Sequence, residues 1–225
     1  MHTFELPSGI EIELREMTGA EEELLTNQRL IRTGDAVNQA LKNCIVRLGD
    51  NDEPTVKDVL DLLSGDRLFI LVRLRQVSLG DEVELELTCP NTACRASNAV
   101  TVNLEELEVT PYGEEREFAF TLPGSGRKVR FSYLDGNKEK RLAALKEPSI
   151  SSAMLIRIID VDGAPPSKKL MNDMSMRDRS ALRQEMLRVD AGIDTTVETD
   201  CDSCGMRIRT RLEAEPGFLF PGVRL

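Results

Sequence analysis

The chain has 225 residues, 40% of them hydrophobic and 30% charged, enough for a buried core in one large or two small domains and unlike a disordered chain. No apolar run approaches the ~20 residues of a membrane span, and the opening MHTFELPSGIEIELRE has neither the basic region nor the apolar core of a secretory signal. A formal net charge of −10, a pI near 4.8 and only nine aromatic residues argue against a general nucleic-acid binder, and a single histidine, His2, nearly excludes His-based catalysis.

In chain order, alternation predicts an opening hairpin: strand Thr3–Leu6, turn Pro7-Ser8-Gly9 and strand Ile10–Arg15. Thr18 with Glu21 three residues on is a capping box that starts a helix running to Gly34. Asp35 is expected to cap a second helix through Leu48, with Val37, Leu41, Cys44, Ile45 and Leu48 on one stripe. Thr55 and Asp58 open a third helix, and Ser64 is expected to cap a fourth, apolar on most sides, over Gly65–Val77. Strand Glu82–Thr88 sets Val83, Leu85 and Leu87 against Glu82, Glu84 and Glu86 and runs into Cys89; strand Ala99–Val102 returns after Cys94.

The second half predicts strands Glu117–Leu122 and Lys128–Tyr133, helices over Asp135–Lys146 and Ser149–Asp160, and a turn and linker at Gly163-Ala164-Pro165-Pro166. Ser175 with Asp178 caps a helix through Val189, and strands flank Cys201 and Cys204. The apolar tail Pro216–Leu225, with Phe218, Leu219, Phe220, Pro221 and Val223, is expected as a strap on the core.

These elements occur twice. FELPSGIEIELREM from Phe4 matches FTLPGSGRKVRFSYL from Phe120, and both Asp66-Arg67 and Asp178-Arg179 precede a cysteine, Cys89 or Cys201, by 23 positions from the Asp. The expected architecture is therefore α+β in two homologous halves, 1–112 and 113–225. Each half has a β-hairpin, helices and a second hairpin bearing a Cys knuckle. Residues 1–112 hold 10 basic and 21 acidic side chains, residues 113–225 hold 19 and 18. An acidic solvated face explains this most simply; different faces for different partners is the sharper reading.

The chemistry concentrates in Cys89-Pro-Asn-Thr-Ala-Cys94 and Cys201-Asp-Ser-Cys204-Gly205. Each spacing lets one tight turn aim two sulfurs at a common point about 2.3 Å from a metal, and two such turns supply a tetrahedron. The favoured reading is one structural zinc ion on Cys89, Cys94, Cys201 and Cys204, a zinc-ribbon-like site with no open position for water or substrate. A Cys201–Cys204 redox pair is disfavoured because it does not open a helix, disulfides because nothing indicates export, and an iron–sulfur cluster by spacing. Cys44 falls on an apolar helix stripe and reads as a buried hydrophobe.

Gly124-Ser125-Gly126 precedes a strand and is a turn rather than a phosphate cradle. Arg67 and Arg179 are expected to pair with Asp66, Asp178 or helix carbonyls. No catalytic constellation emerges, so the chain is read as no enzyme.

The LPSG hairpin, the SGDR-headed helix, the CPxxxC knuckle, the second LPxSG hairpin, the CxxCG knuckle and the closing FLFP occur here in order. In these features the chain resembles the T4-type baseplate family, the hub proteins or hub assembly chaperones of contractile phage tails and related injection systems. It departs in the first knuckle, where four residues rather than two separate the cysteines. The resemblance implies a non-enzymatic part or assembly factor of the baseplate hub, partnered by other baseplate proteins, without nucleic acid, membrane or small-molecule substrate. It would reside in the host cytoplasm during assembly or in the virion tail. The competing reading is a zinc-ribbon nucleic-acid or transcription adaptor using Arg95, Arg207, Arg209 and Arg211; a thiol oxidoreductase is the third.

Overall fold

The structure, a computed structural model, describes residues 1–212 and 216–219. Strands β1 (His2–Glu5), β2 (Glu11–Leu14) and β3 (Ile45–Leu48) form an antiparallel sheet in that order. Helices α1 (Gly19–Thr26), α2 (Gln28–Thr33) and α3 (Asp35–Cys44) lie between β2 and β3 in the chain, and α4 (Val56–Asp61) and α5 (Ser64–Leu79) follow. Hairpin β4 (Glu82–Thr88)–β5 (Ser97–Asn103) comes next, then a short strand β6 (Val109–Thr110). A second sheet, β7 (Glu117–Thr121), β8 (Lys128–Ser132) and β9 (Ile158–Val161), encloses α6 (Gly136–Ala143) and α7 (Ile150–Leu155) in the chain. Helices α8 (Lys168–Asp173) and α9 (Met176–Val189), strand β10 (Gly192–Ile193), hairpin β11 (Thr196–Asp200)–β12 (Arg207–Arg211) and α10 (Pro216–Leu219) complete it.

Several expected boundaries move, each for a local reason. The helix expected from Thr18 to Gly34 breaks at Asn27, whose side chain accepts from the amides of Arg29 and Leu30 and caps α2. Asp35 does not cap α3; it lies in the first turn and ion-pairs with Lys140 at 2.6 Å. The helix expected through Leu48 ends at Cys44, because Ile45–Leu48 supplies the missing partner of β2. The helix expected across Ser149–Asp160 stops at Leu155 for the same reason, with Ile158–Val161 pairing with β8. Ser64 makes no cap; the N-cap position of α5 is Leu63, with no side-chain hydrogen bond. Helix α8, capped by Ser167, follows the expected turn and linker Gly163–Pro166, where no element was expected.

The two three-stranded sheets agree in detail. A register shift falls between Glu13 and Leu14 in one and between Arg130 and Phe131 in the other. Arg15 N donates to Cys44 O, and Ser132 N to Arg157 O, each at 3.0 Å. The Asp at the head of each long helix holds the neighbouring LPSG or LPGSG turn. Asp66 accepts from Ser8 N at 2.9 Å, and Asp178 from Gly124 N and Ser125 N at 2.6 and 3.1 Å. The following Arg reaches a helix carbonyl and a side chain: Arg67 donates to Val59 O and Asn38 Oδ1, Arg179 to Met171 O and Ser151 Oγ.

Two apolar clusters form the core. The larger is built on Ile12, Leu14, Leu41, Cys44, Ile70 and Leu74, and the other on Leu122, Val129, Phe131, Met171 and Leu182. Ile193, Val197, Leu212 and Leu219, late in the chain, are buried in the larger one, so the end of the chain packs against its beginning. Strand β6 pairs with β10 beneath α5. There Gly65 and Gly192 approach so closely that a Cβ on Gly65 would overlap Ala191 O and the Tyr112 hydroxyl. Of the expected strap, Phe218 and Leu219 pack on the larger core, while Phe220, Pro221 and Val223 lie outside the described residues.

Candidate metal centre

Each cysteine pair sits where a two-stranded ladder ends in a tight turn. In the first, Cys89 N donates to Ala96 O across the hairpin, and the amides of Cys94 and Arg95 both donate to Asn91 O. In the second, Cys201 N donates to Met206 O and Gly205 N to Cys201 O. The turns end alike: the residue after the second cysteine has positive φ in both, Gly205 at 70° and Arg95 at 48°. Glycine takes that conformation freely, whereas arginine is strained there by roughly 1–2 kcal/mol.

The two tips meet. The four sulfurs of Cys89, Cys94, Cys201 and Cys204 all lie within 4.8 Å of one another. Cys89 Sγ is 3.6 Å from Cys204 Sγ, and Cys94 Sγ is 3.9 Å from Cys201 Sγ. A disulfide would need about 2.05 Å; all four are free thiols. A tetrahedron of sulfurs each about 2.3 Å from a central ion has edges of about 3.8 Å, which these distances straddle. The cluster can therefore hold a metal ion, and four soft donors suit zinc or iron rather than calcium or magnesium.

Cys89 and Cys201 are buried, Cys94 half-buried and Cys204 exposed, with Ile208 and Leu87 packed alongside. The backbone amide of Ser203, aided by that of Cys204, holds the Cys201 thiol down to about 6, while burial pushes Cys89 up to about 12. One thiolate is thus ready at neutral pH, while Cys89 becomes anionic only against a cation. Cys44 lies in the larger core away from the cluster, pushed up to about 12 by burial, as an inert hydrophobe should be.

Two asparagines complete the site. Asn98 is 3% exposed. Its amide donates to Leu87 O at 3.2 Å and Ala96 O at 3.0 Å in its own hairpin, and its Oδ1 accepts from Asp202 N of the other at 3.0 Å. Asn91 points its Nδ2 at Cys204 Sγ, 3.8 Å away. Neither was anticipated from the sequence. The available sign was a polar amide amid the alternation of β5 and another inside the first Cys-x4-Cys turn.

The arginines proposed for nucleic acid are differently placed. Arg207 and Arg209 are exposed but both pair with Glu198, at 2.9 and 3.2 Å. Arg67 and Arg179 are absorbed in the helix contacts described above.

Paired Cys hairpins on an α+β scaffold thus bring four cysteines into one cluster that could hold a metal ion. The chain matches the family model described as T4 bacteriophage base plate protein over residues 1–214, and it belongs to that family. Comparisons with curated proteins and with solved structures gave no match. Membership places the chain among structural, non-catalytic components of a phage tail baseplate. No helix among the described residues is long and apolar enough to cross a membrane.

Proposed function

We propose that this protein builds, or becomes part of, the baseplate hub of a contractile tail or related injection system. It would do so as two copies of one ancestral module, residues 1–112 and 113–225, locked together by a single structural zinc ion on Cys89, Cys94, Cys201 and Cys204. The observation that carries the clamp is the convergence of sulfurs 107 and 115 residues apart in sequence into one set with tetrahedral spacing. The matching register shifts and the twin Asp–turn and Arg–carbonyl contacts support the duplication. Family membership supports the baseplate role, with other baseplate proteins as partners.

Zinc held by four thiolates has no site left for substrate, so its contribution is to stability. Binding free energies of about 10–16 kcal/mol in small zinc peptides rival the roughly 5–15 kcal/mol that holds a typical domain folded. The purified protein is expected to contain one zinc per chain, with Cys89→Ser and Cys201→Ser each losing both the zinc and several degrees of melting temperature. Full-strength zinc in both variants would overturn the clamp. Co-purification with baseplate proteins from phage-infected cells tests the assembly role separately.

A further inference from the structure

The hairpins that carry the cysteines are each only two strands wide among the described residues, so their long edges are open. In β4 the register identifies the free groups. Cys89 N donates to Ala96 O, and Leu104 N donates to Asp81 O. In an antiparallel ladder this turns the amides and carbonyls of the odd-numbered residues toward β5. Glu82, Glu84 and Glu86 therefore present theirs at the opposite edge. Buried Arg75 donates to Gly80 O at 2.9 Å and to Glu82 O at 3.1 Å, which closes the first position. The main-chain groups of Glu84 and Glu86 have no partner among the described residues.

The side chains of these glutamates are exposed, and no ion pair to any of them occurs among the described residues. On the other face of the strand, Val83, Leu85 and Leu87 join the larger core. The edge borders a groove whose far wall includes Thr210 and Arg211 of β12, with Phe218 beside it.

We propose that the free edge of β4 receives an additional β-strand from a partner protein, an extended segment that alternates basic and apolar side chains. Its main chain pairs with Glu84 and Glu86, its basic residues stand opposite the glutamates, and its apolar residues extend the Val83–Leu85–Leu87 face. The chain already joins strands of this kind to each other. In the β11–β12 ladder Glu198 stands opposite Arg209 and Asp200 opposite Arg207. That internal pairing neutralises much of the basic stripe on β12, whereas the acidic stripe on β4 has no ion pair among the described residues; charge thus selects β4 as the docking edge and a basic strand as its occupant. This inference rests on the partner-binding role proposed above and supplies the chemistry of the partner.

The probe is a synthetic peptide with the sequence MRIRTRL, which has the required alternation, titrated into the full-length protein as purified. Binding should weaken as salt is raised, fall at least tenfold in the exposed-site double variant Glu84→Lys/Glu86→Lys, and be absent for the charge-reversed peptide MEIETEL. Hydrogen exchange should slow at the amides of Glu84 and Glu86 on binding, and not at those of Val83 and Leu85. Equal binding of both peptides, no binding of either, or binding indifferent to the double substitution would overturn the proposal. Self-association of the protein alone that protects the same two amides would overturn it in favour of a second copy of this chain. Because the two peptides are compared on the unaltered protein, the result does not depend on the variant folding. Partners that co-purify while MRIRTRL fails would leave the baseplate role standing and refute only this edge.

Discussion

Asn98 has both ends of its amide group engaged in holding the two knuckles together. Its carboxamide tethers the backbone on each side of the first turn, and its oxygen receives the amide of Asp202 from the second. Truncating it leaves buried groups without partners, which costs about 1–3 kcal/mol. Asn98→Ala is expected to lose that much stability in urea denaturation and, where the cluster has been loaded with zinc, to release it faster to a chelator without losing it at equilibrium. The convergence of the cysteines was legible because a shared metal ion would demand that residue type at that spacing. Asn98 was not, because a buried asparagine is recognisable only by partners that the fold brings from 104 residues away.

At the scale of elements, each long helix is pinned to a hairpin turn by one carboxylate, and the two pins differ in strength. Asp178 is buried, yet the amides of Gly124 and Ser125 hold its carboxyl below the ordinary aspartate range. Asp66 has fewer donors, and burial pushes it up. A carboxyl held down contributes stability that is fully present above the unfolded value of about 3.9 and is lost as pH falls through the folded value. For one pushed up the sign reverses: the folded state favours the protonated form, and ionisation above the folded value costs stability. Asp178→Asn should therefore destabilise by about 1–3 kcal/mol at pH 7, with the deficit shrinking below pH 4. Asp66→Asn should be neutral or stabilising at pH 7. Urea midpoints of both variants at the two pH values check this; equal losses would refute the difference.

Two of the elements that escaped prediction are third strands of the three-stranded sheets. Ile45 to Leu48 continues the apolar spacing of α3, and neither it nor Ile158 to Val161 is preceded by a glycine or proline that would mark a helix end. Both segments become strands because β2 and β8 each need a third strand, a requirement set by tertiary pairing rather than by local preference. Helix α8 was hidden for another reason. It is only six residues long and follows two prolines, so no sustained periodicity marks it. The hairpins, capping boxes and knuckle strands were legible because alternation and cap chemistry are local.

At the scale of the whole molecule, a metal at the cluster would fasten the last hairpin to a body whose larger core it already enters through Val197 and Leu212. Burial and ligation therefore reinforce each other. Were the cluster to take up zinc at pH 7, protons would be expelled, because burial pushes the Cys89 thiol up. Calorimetry in buffers of different ionisation enthalpy should show that release, and the apparent affinity should fall as pH is lowered. Heat signals independent of the buffer would count against thiolate ligation.

Synthesis order gives the spacing of the ligands a further meaning. Cys89 leaves the ribosome 115 residues ahead of Cys204, so the first hairpin's sulfurs must wait while the intervening chain is translated. During that interval its thiols have no counterparts and are open to oxidants or to stray copper. A nascent chain that stalls or is cut short never closes the ring. Completion of the sulfur set therefore requires that the chain be made through Cys204 and that the two hairpins meet.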